Sequence, residues 1–131
     1  MNNDRPVFAQ IMEIVENGII DETYGTDELI ISTTQISRLY NVNPATAVKA
    51  VSRLAEDGIL YKKPGIGMCV AAGAREKIVK RRKKRFTETT LGAFLAEART
   101  LNITAEELVK LIREKETDER KEFAKTEGAN K

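Results

Sequence analysis

Histidine and tryptophan are absent from this 131-residue chain, and there is a single cysteine, Cys69. Without imidazole the chain has no Cys/His spacing for a zinc site, and one thiol cannot close an internal disulfide. The missing histidine also removes the commonest general base of nucleophilic catalysis. Paired carboxylates do occur, at Asp21-Glu22, Asp27-Glu28 and Glu106-Glu107. Each falls at an expected turn or helix start, where acidic groups favour the positive end of the helix dipole. The expectation is a protein that is not an enzyme and has no metal or cofactor. No apolar run approaches membrane-spanning length, and the N-terminal stretch has no apolar signal core. A reducing, cytoplasmic setting without a membrane partner is expected. Cys69 is expected to be a small buried or edge residue, because a reactive thiol needs an electropositive niche. Aromatic residues are scarce, at 5%, so the core must come from Ile, Val, Leu and Ala.

Charge is present in quantity, but the formal net of +2 says little. Its distribution says more. Residues 4–28 are acidic, with Asp4, Glu13, Glu16, Asp21, Glu22, Asp27 and Glu28 against Arg5. Residues 29–72 reverse the sign through Arg38, Lys49, Arg53, Lys62 and Lys63, and residues 75–85 are intensely basic.

The apolar spacing predicts a first helix over 6–20, carried by Val7, Ile11, Ile14 and Val15. A polar loop containing Gly25 follows. Leu29-Ile30-Ile31 is too short for an independent strand but could join a later hairpin as a third edge. Ser32 with Gln35 forms a capping box for a second helix over 33–40. Asn41 suits a tight turn because asparagine tolerates positive φ. Asn43 then stands at an N-cap with Pro44 at the first helical position, which predicts a third helix to Glu56 closed by Gly58. Two helices meeting across so short a break form a helix-turn-helix, and residues 43–53 are the expected groove-entering helix. Residues 59–63 and 68–71 alternate as strands around the turn Pro64-Gly65-Ile66-Gly67. The plan is a winged helix: mainly α, with a small β-wing.

From Ala74 a long helix is expected to about Leu101, bent or interrupted between Arg85 and Gly92, where Thr87, Thr89 and Thr90 lower helix propensity. The alternatives of one helix or two stay open. Leu91, Phe94, Leu95, Ala98 and Leu101 share one face. Thr104 and Glu107 cap a last helix with its own stripe, Leu108, Leu111 and Ile112. Beyond it the chain is charged and expected to fray. The expected organisation is a winged helix-turn-helix DNA-binding domain over 1–72, a helical dimerisation segment over 73–116 and a polar, disordered tail over 117–131.

Pro6-Val-Phe-Ala-Gln-Ile11, Ile30-Ile-Ser32, the helix-turn-helix, Leu54-Ala-Glu-Asp-Gly-Ile59 and Gly65-Ile-Gly67 together resemble the N-terminal domain of GntR-family transcription regulators. The Val42-Asn-Pro-Ala-Thr46 turn is similar to that of the YtrA-like subfamily, whose members add only a short two-helix tail. Two departures stand out. Ile31 and Thr34 replace the proline and arginine usual at the second helix, and Pro44 and Ala45 replace arginines common at the third.

In this docking mode the candidate DNA-binding residues are Ser32, Thr33, Thr34, Asn43, Ala45, Thr46, Lys49, Arg53, Lys62, Lys63 and Gly65. Lys49 projects toward the groove, Thr46 can bond a phosphate or a base, and both share with the N-terminal amides the positioning of the helix on DNA. Ala45 or Val48 could touch a thymine methyl, and Ser32 to Thr34 form a phosphate site at a helix N-terminus. The competing reading makes Lys49 and Arg53 a solvated face and Ser32 only a cap; for Lys49 DNA contact is preferred, because any DNA binder needs a sequence-independent cation contribution. The run 77–85 could support DNA binding, remain solvated or bind a partner. The stripes on residues 91–112 are too large for so small a domain to bury. The resemblance implies that they pair with a second copy, placing two reading helices on a palindromic double-stranded operator. It implies a homodimeric repressor of its own or a transporter operon. An effector, where one acts, would bind at the dimer interface or between tail and winged domain. The reading from a different class is a winged-helix protein-interaction module without an operator.

Overall fold

Pro6, with its fixed φ, opens α1, Val7–Ile20, and the apolar spacing buries Ile11, Val15 and Ile19. The computed structural model describes residues 5–129. Residues 1–4, with Asp4 of the acidic stretch, and residues 130–131 of the expected tail lie outside the described residues. The helices α2, Thr33–Tyr40, and α3, Pro44–Glu56, follow as expected. Their inward residues Ile36, Ala47, Ala50, Val51 and Leu54 complete a three-helix core with α1. Gly58, in the left-handed region, ends α3 and sends the chain into the hairpin β1, Leu60–Lys63, and β2, Gly67–Val70. The strands pair antiparallel in the register Leu60↔Val70 to Lys63↔Gly67.

The expected third edge is reduced to one bridge, Leu29↔Cys69, flanked by Ile30 N–H to the Met68 carbonyl at 3.0 Å. Three residues suffice for that contact and no more. Cys69 is buried in β2, as expected of a small apolar residue.

The helical run after the wing divides into α4, Ala74–Arg85, a π-helical turn, Phe86–Thr90, and α5, Leu91–Thr100. The expected interruption falls on the threonines. It is a π turn, which widens the helix locally without leaving it. Asn102 takes positive φ after α5, and the Thr104 hydroxyl then accepts the Glu107 N–H at 3.1 Å. The last helix, α6, runs Ala105–Ala129, which corrects the expected end near residue 116. Its distal half holds no proline and, before Gly128, no glycine, and it offers opposite-charge pairs such as Lys115/Glu119 and Glu116/Arg120 at helical spacing. A segment without a core can still be helical on these local terms.

The chain splits into two compact units between Lys84 and Arg85. The expected boundary at residue 72 is therefore moved, because Ala74 and Ile78 of α4 are buried in the winged core.

Candidate nucleic-acid interface

The turn between α2 and α3 is built from side chains that bond to backbone. Asn41 takes φ 52°, the Ser37 hydroxyl donates to the Val42 carbonyl at 2.7 Å, and Val42 N–H returns to the Ser37 carbonyl at 3.1 Å. Asn43 Oδ1 accepts the Ala45 N–H at 2.8 Å, while its carbonyl accepts the Thr46 and Ala47 amides at 2.9 and 3.2 Å. Pro44 has no N–H. The first-turn amides of α3 are therefore consumed within the turn, which corrects their expected part in positioning the helix on DNA. At α2 the capping box is complete: Ser32 Oγ accepts the Gln35 N–H at 3.1 Å and Ser32 N–H donates to Gln35 Oε1 at 2.9 Å. Ser32 is thus a cap. The amides of Thr33 and Thr34 are the pair that neither cap nor helix takes up.

On α3 the buried residues occupy one face, and Ala45, Val48, Lys49, Ser52 and Arg53 are exposed. Thr46 is half-buried. Lys49 does not simply extend outward: its Nζ lies 4.1 Å above the centre of the Phe8 ring, and the Arg53 guanidinium carbon lies 5.9 Å from the same ring. Phe8 of α1 thereby gathers both cations on one flank of α3. The outer surface left beside them is uncharged at the centre of the helix, at Ala45, Val48 and Ser52, with the exposed Glu56 at its C-terminal end. Phe8 entered the sequence reading only within the stretch 6–11, with no role of its own, since nothing in the chain's spacing announces a partner forty residues away.

The wing is fixed at its tip by Gly65, at φ 77°. Gly67, at φ 136°, lies so close to Leu29 that an added Cβ would stand 3.0 Å from Leu29 Cδ1. Lys62 is exposed and Lys63 half-buried. β1 packs on α3, so the wing cations and the α3 cations belong to one unit. The base of the wing is tied to the loop before it: the Tyr61 hydroxyl donates to Asp27 Oδ1 at 2.8 Å, and Asp27 N–H donates to the Val70 carbonyl at 2.8 Å. That hydrogen bond to Asp27, first among the causes, raises the Tyr61 phenol above its ordinary value.

The basic run is divided in its duties. Arg81 bonds Glu16 at 2.7 Å and Asp57 at 3.3 Å, and Arg82 bonds Asn17 at 2.7 Å and Glu16 at 3.2 Å. Arg75 Nε donates to the Ile20 carbonyl at 2.9 Å. These three arginines dock α4 on the acidic α1, so they are neither merely solvated nor held out for DNA. The opposed charge of residues 4–28 and 75–85 carried that signal in the sequence.

In the second unit, Ala98 and Leu108 are buried between α5 and α6, while Leu91, Phe94, Leu101, Leu111 and Ile112 stay exposed and Leu95 is half-buried. Phe94, Ala98, Leu101, Leu108, Leu111 and Ile112 line one groove of about 580 Å³. Ile103, which the sequence reading passed over, joins them.

Three packed helices and a two-stranded wing define a winged helix-turn-helix protein, here with a helical second unit. No family model and no curated protein matches the chain. Solved structures do. A GntR-family transcriptional regulator from Bacteroides thetaiotaomicron superposes with a TM-score of 0.72 at 29% identity, over 87% of this chain and 99% of its own. YtrA from Sulfolobus acidocaldarius, a GntR-family transcription factor, superposes with a TM-score of 0.51 at 17% identity, over 90% and 94% of the two chains. The DNA-binding domain of AraR, solved in complex with its operator, gives 0.50 at 27% identity over 54% and 86%. The GntR-family resemblance read from the sequence holds in three dimensions, and the YtrA-like plan of winged domain plus short helical tail holds with it. The solved structures that it resembles in this way are transcription regulators. Among the described residues no helix is long and apolar enough to cross a membrane.

Proposed function

We propose that the chain is a cytoplasmic, sequence-specific regulator that binds double-stranded DNA, acting as a homodimeric repressor of its own or a transporter operon. The observation that carries this reading is the outer face of α3, left free by the core, uncharged at its centre and flanked by the Lys49/Arg53 pair on Phe8. A helix that reads bases needs close approach at its centre and cations at its side, because phosphate contacts supply affinity and base edges supply choice. Thr33 and Thr34 at the start of α2, and Lys62, Lys63 and Gly65 in the wing, would add backbone contacts. The similarity to the AraR domain, solved in complex with its operator, supports DNA binding.

Selection of bound duplexes from a random library, followed by footprinting, tests it. The expected result is an enriched inverted repeat protected on both half-sites, with binding that weakens steeply as salt rises. Failure to enrich any sequence would overturn the regulator reading and favour a winged-helix module that binds protein. A promoter carrying the enriched repeat should be silenced by the chain in a reporter strain. Activation there would overturn the repressor assignment.

A further inference from the structure

Resting on the DNA-binding reading above, the geometry points to Val48 as the specificity-determining residue of α3, reading the C5-methyl group of a thymine in each half-site. Val48 is 50% exposed in the middle of the helix. A β-branched residue there gains nothing from helix propensity and contributes little to the core, where Ala47, Ala50, Val51 and Leu54 do the packing. Its exposed neighbours one turn away on the same side are Pro44, Ala45 and Ser52, all compact, so a base edge can approach without displacing a long side chain.

The cations that would otherwise dominate readout are drawn aside. Lys49 and Arg53 share the Phe8 ring, which holds their charge on the flank where a phosphate backbone would pass. The first-turn amides and the Asn43 Oδ1 are spent on the cap. What α3 keeps at its centre is therefore an isopropyl group. Among base edges in the major groove, thymine presents a methyl, and that is the partner an apolar side chain can distinguish.

The experiment uses the full-length chain and duplexes enriched from the random library, with each thymine replaced in turn by deoxyuridine. Uracil keeps the pairing and the O4 acceptor and loses only the methyl. The expected result is one position per half-site at which uracil weakens the wild type about three- to tenfold, the worth of burying a methyl-sized group. Val48→Ala, which keeps the helix because alanine is the better helix former, should bind thymine and uracil duplexes alike at that position. Lys49→Ala should weaken both duplexes equally. Insensitivity of the wild type to every thymine-to-uracil change, or undiminished discrimination by Val48→Ala, overturns the assignment while leaving DNA binding intact. Absence of any enriched duplex would instead strike the regulator reading itself.

Discussion

Lys49 and Arg53 show how one aromatic ring changes the meaning of two charges. On the sequence they are cations one turn apart on an exposed helix, open to water or to DNA. With Phe8 beneath them they become a fixed pair on one flank, where the ring faces them and water still reaches them. Lys49→Ala should therefore weaken binding to the enriched duplex and make the slope of log affinity against log salt shallower by about one per protomer. Fluorescence anisotropy at four salt concentrations measures both, and an unchanged slope would remove Lys49 from the phosphate contacts. Tyr61 offers a second residue-level test through pH. Its neutral phenol donates to Asp27, so folding holds the proton above the ordinary value of 10.0. The stabilisation is complete below that unfolded value and disappears as pH rises through the raised one. In absorbance titration, the component lost in Tyr61→Phe should have its midpoint above 10.0. A midpoint at or below that value would mean the Asp27 bond does not persist in solution.

Among the elements, α4 belongs to the winged domain by charge as much as by packing. Ala74 and Ile78 bury their side chains in the core, and Arg81 and Arg82 converge on Glu16 of α1. Glu16 is mostly sheltered, with its side chain 12% exposed, so its bonds are screened less than a surface pair. Arg82 Nε is already buried without a partner, and losing the carboxylate would leave that guanidinium poorer still. Glu16→Gln should destabilise the chain by about 1–2 kcal/mol, read as a lower urea midpoint with unchanged far-ultraviolet circular dichroism. A midpoint equal to wild type would show that α4 docks through its apolar residues alone. The helices and hairpin of the winged domain were legible because each end carries its own signal: Ser32 with Gln35, Asn41, Asn43 with Pro44, and Gly58. The extent of α6 was not, because an apolar stripe ending at Ile112 says where a core stops and not where a helix stops. The candidate site was legible as a helix face and no further. Which exposed residues stay central and which are drawn aside depends on Phe8, a contact between distant segments that local periodicity does not encode.

For the whole molecule, the second unit is short of core. Its buried side chains among the described residues are Ala98 and Leu108, whereas Phe94, Leu101, Leu111 and Ile112 face an open groove. A unit of this size rarely stabilises itself without a metal, disulfides or a partner chain, and the composition offers one cysteine and no histidine. A second copy fits the need, since an isologous contact would cover both grooves at once. Dimerisation would also make operator binding bivalent, with the second half-site engaged at high effective concentration once the first is held. Each α3, uncharged at its centre, would then need only modest affinity of its own. Leu111→Glu places a carboxylate in the groove without touching the winged core. In sedimentation velocity at micromolar concentration the wild type should run as a dimer and the variant as a monomer. On the enriched inverted repeat the variant should lose about 100-fold or more in affinity, the avidity term, while its binding to a single half-site stays near wild type. A wild type that sediments as a monomer, or a variant that loses half-site and full-site binding in equal measure, would break the link between the tail groove and the operator.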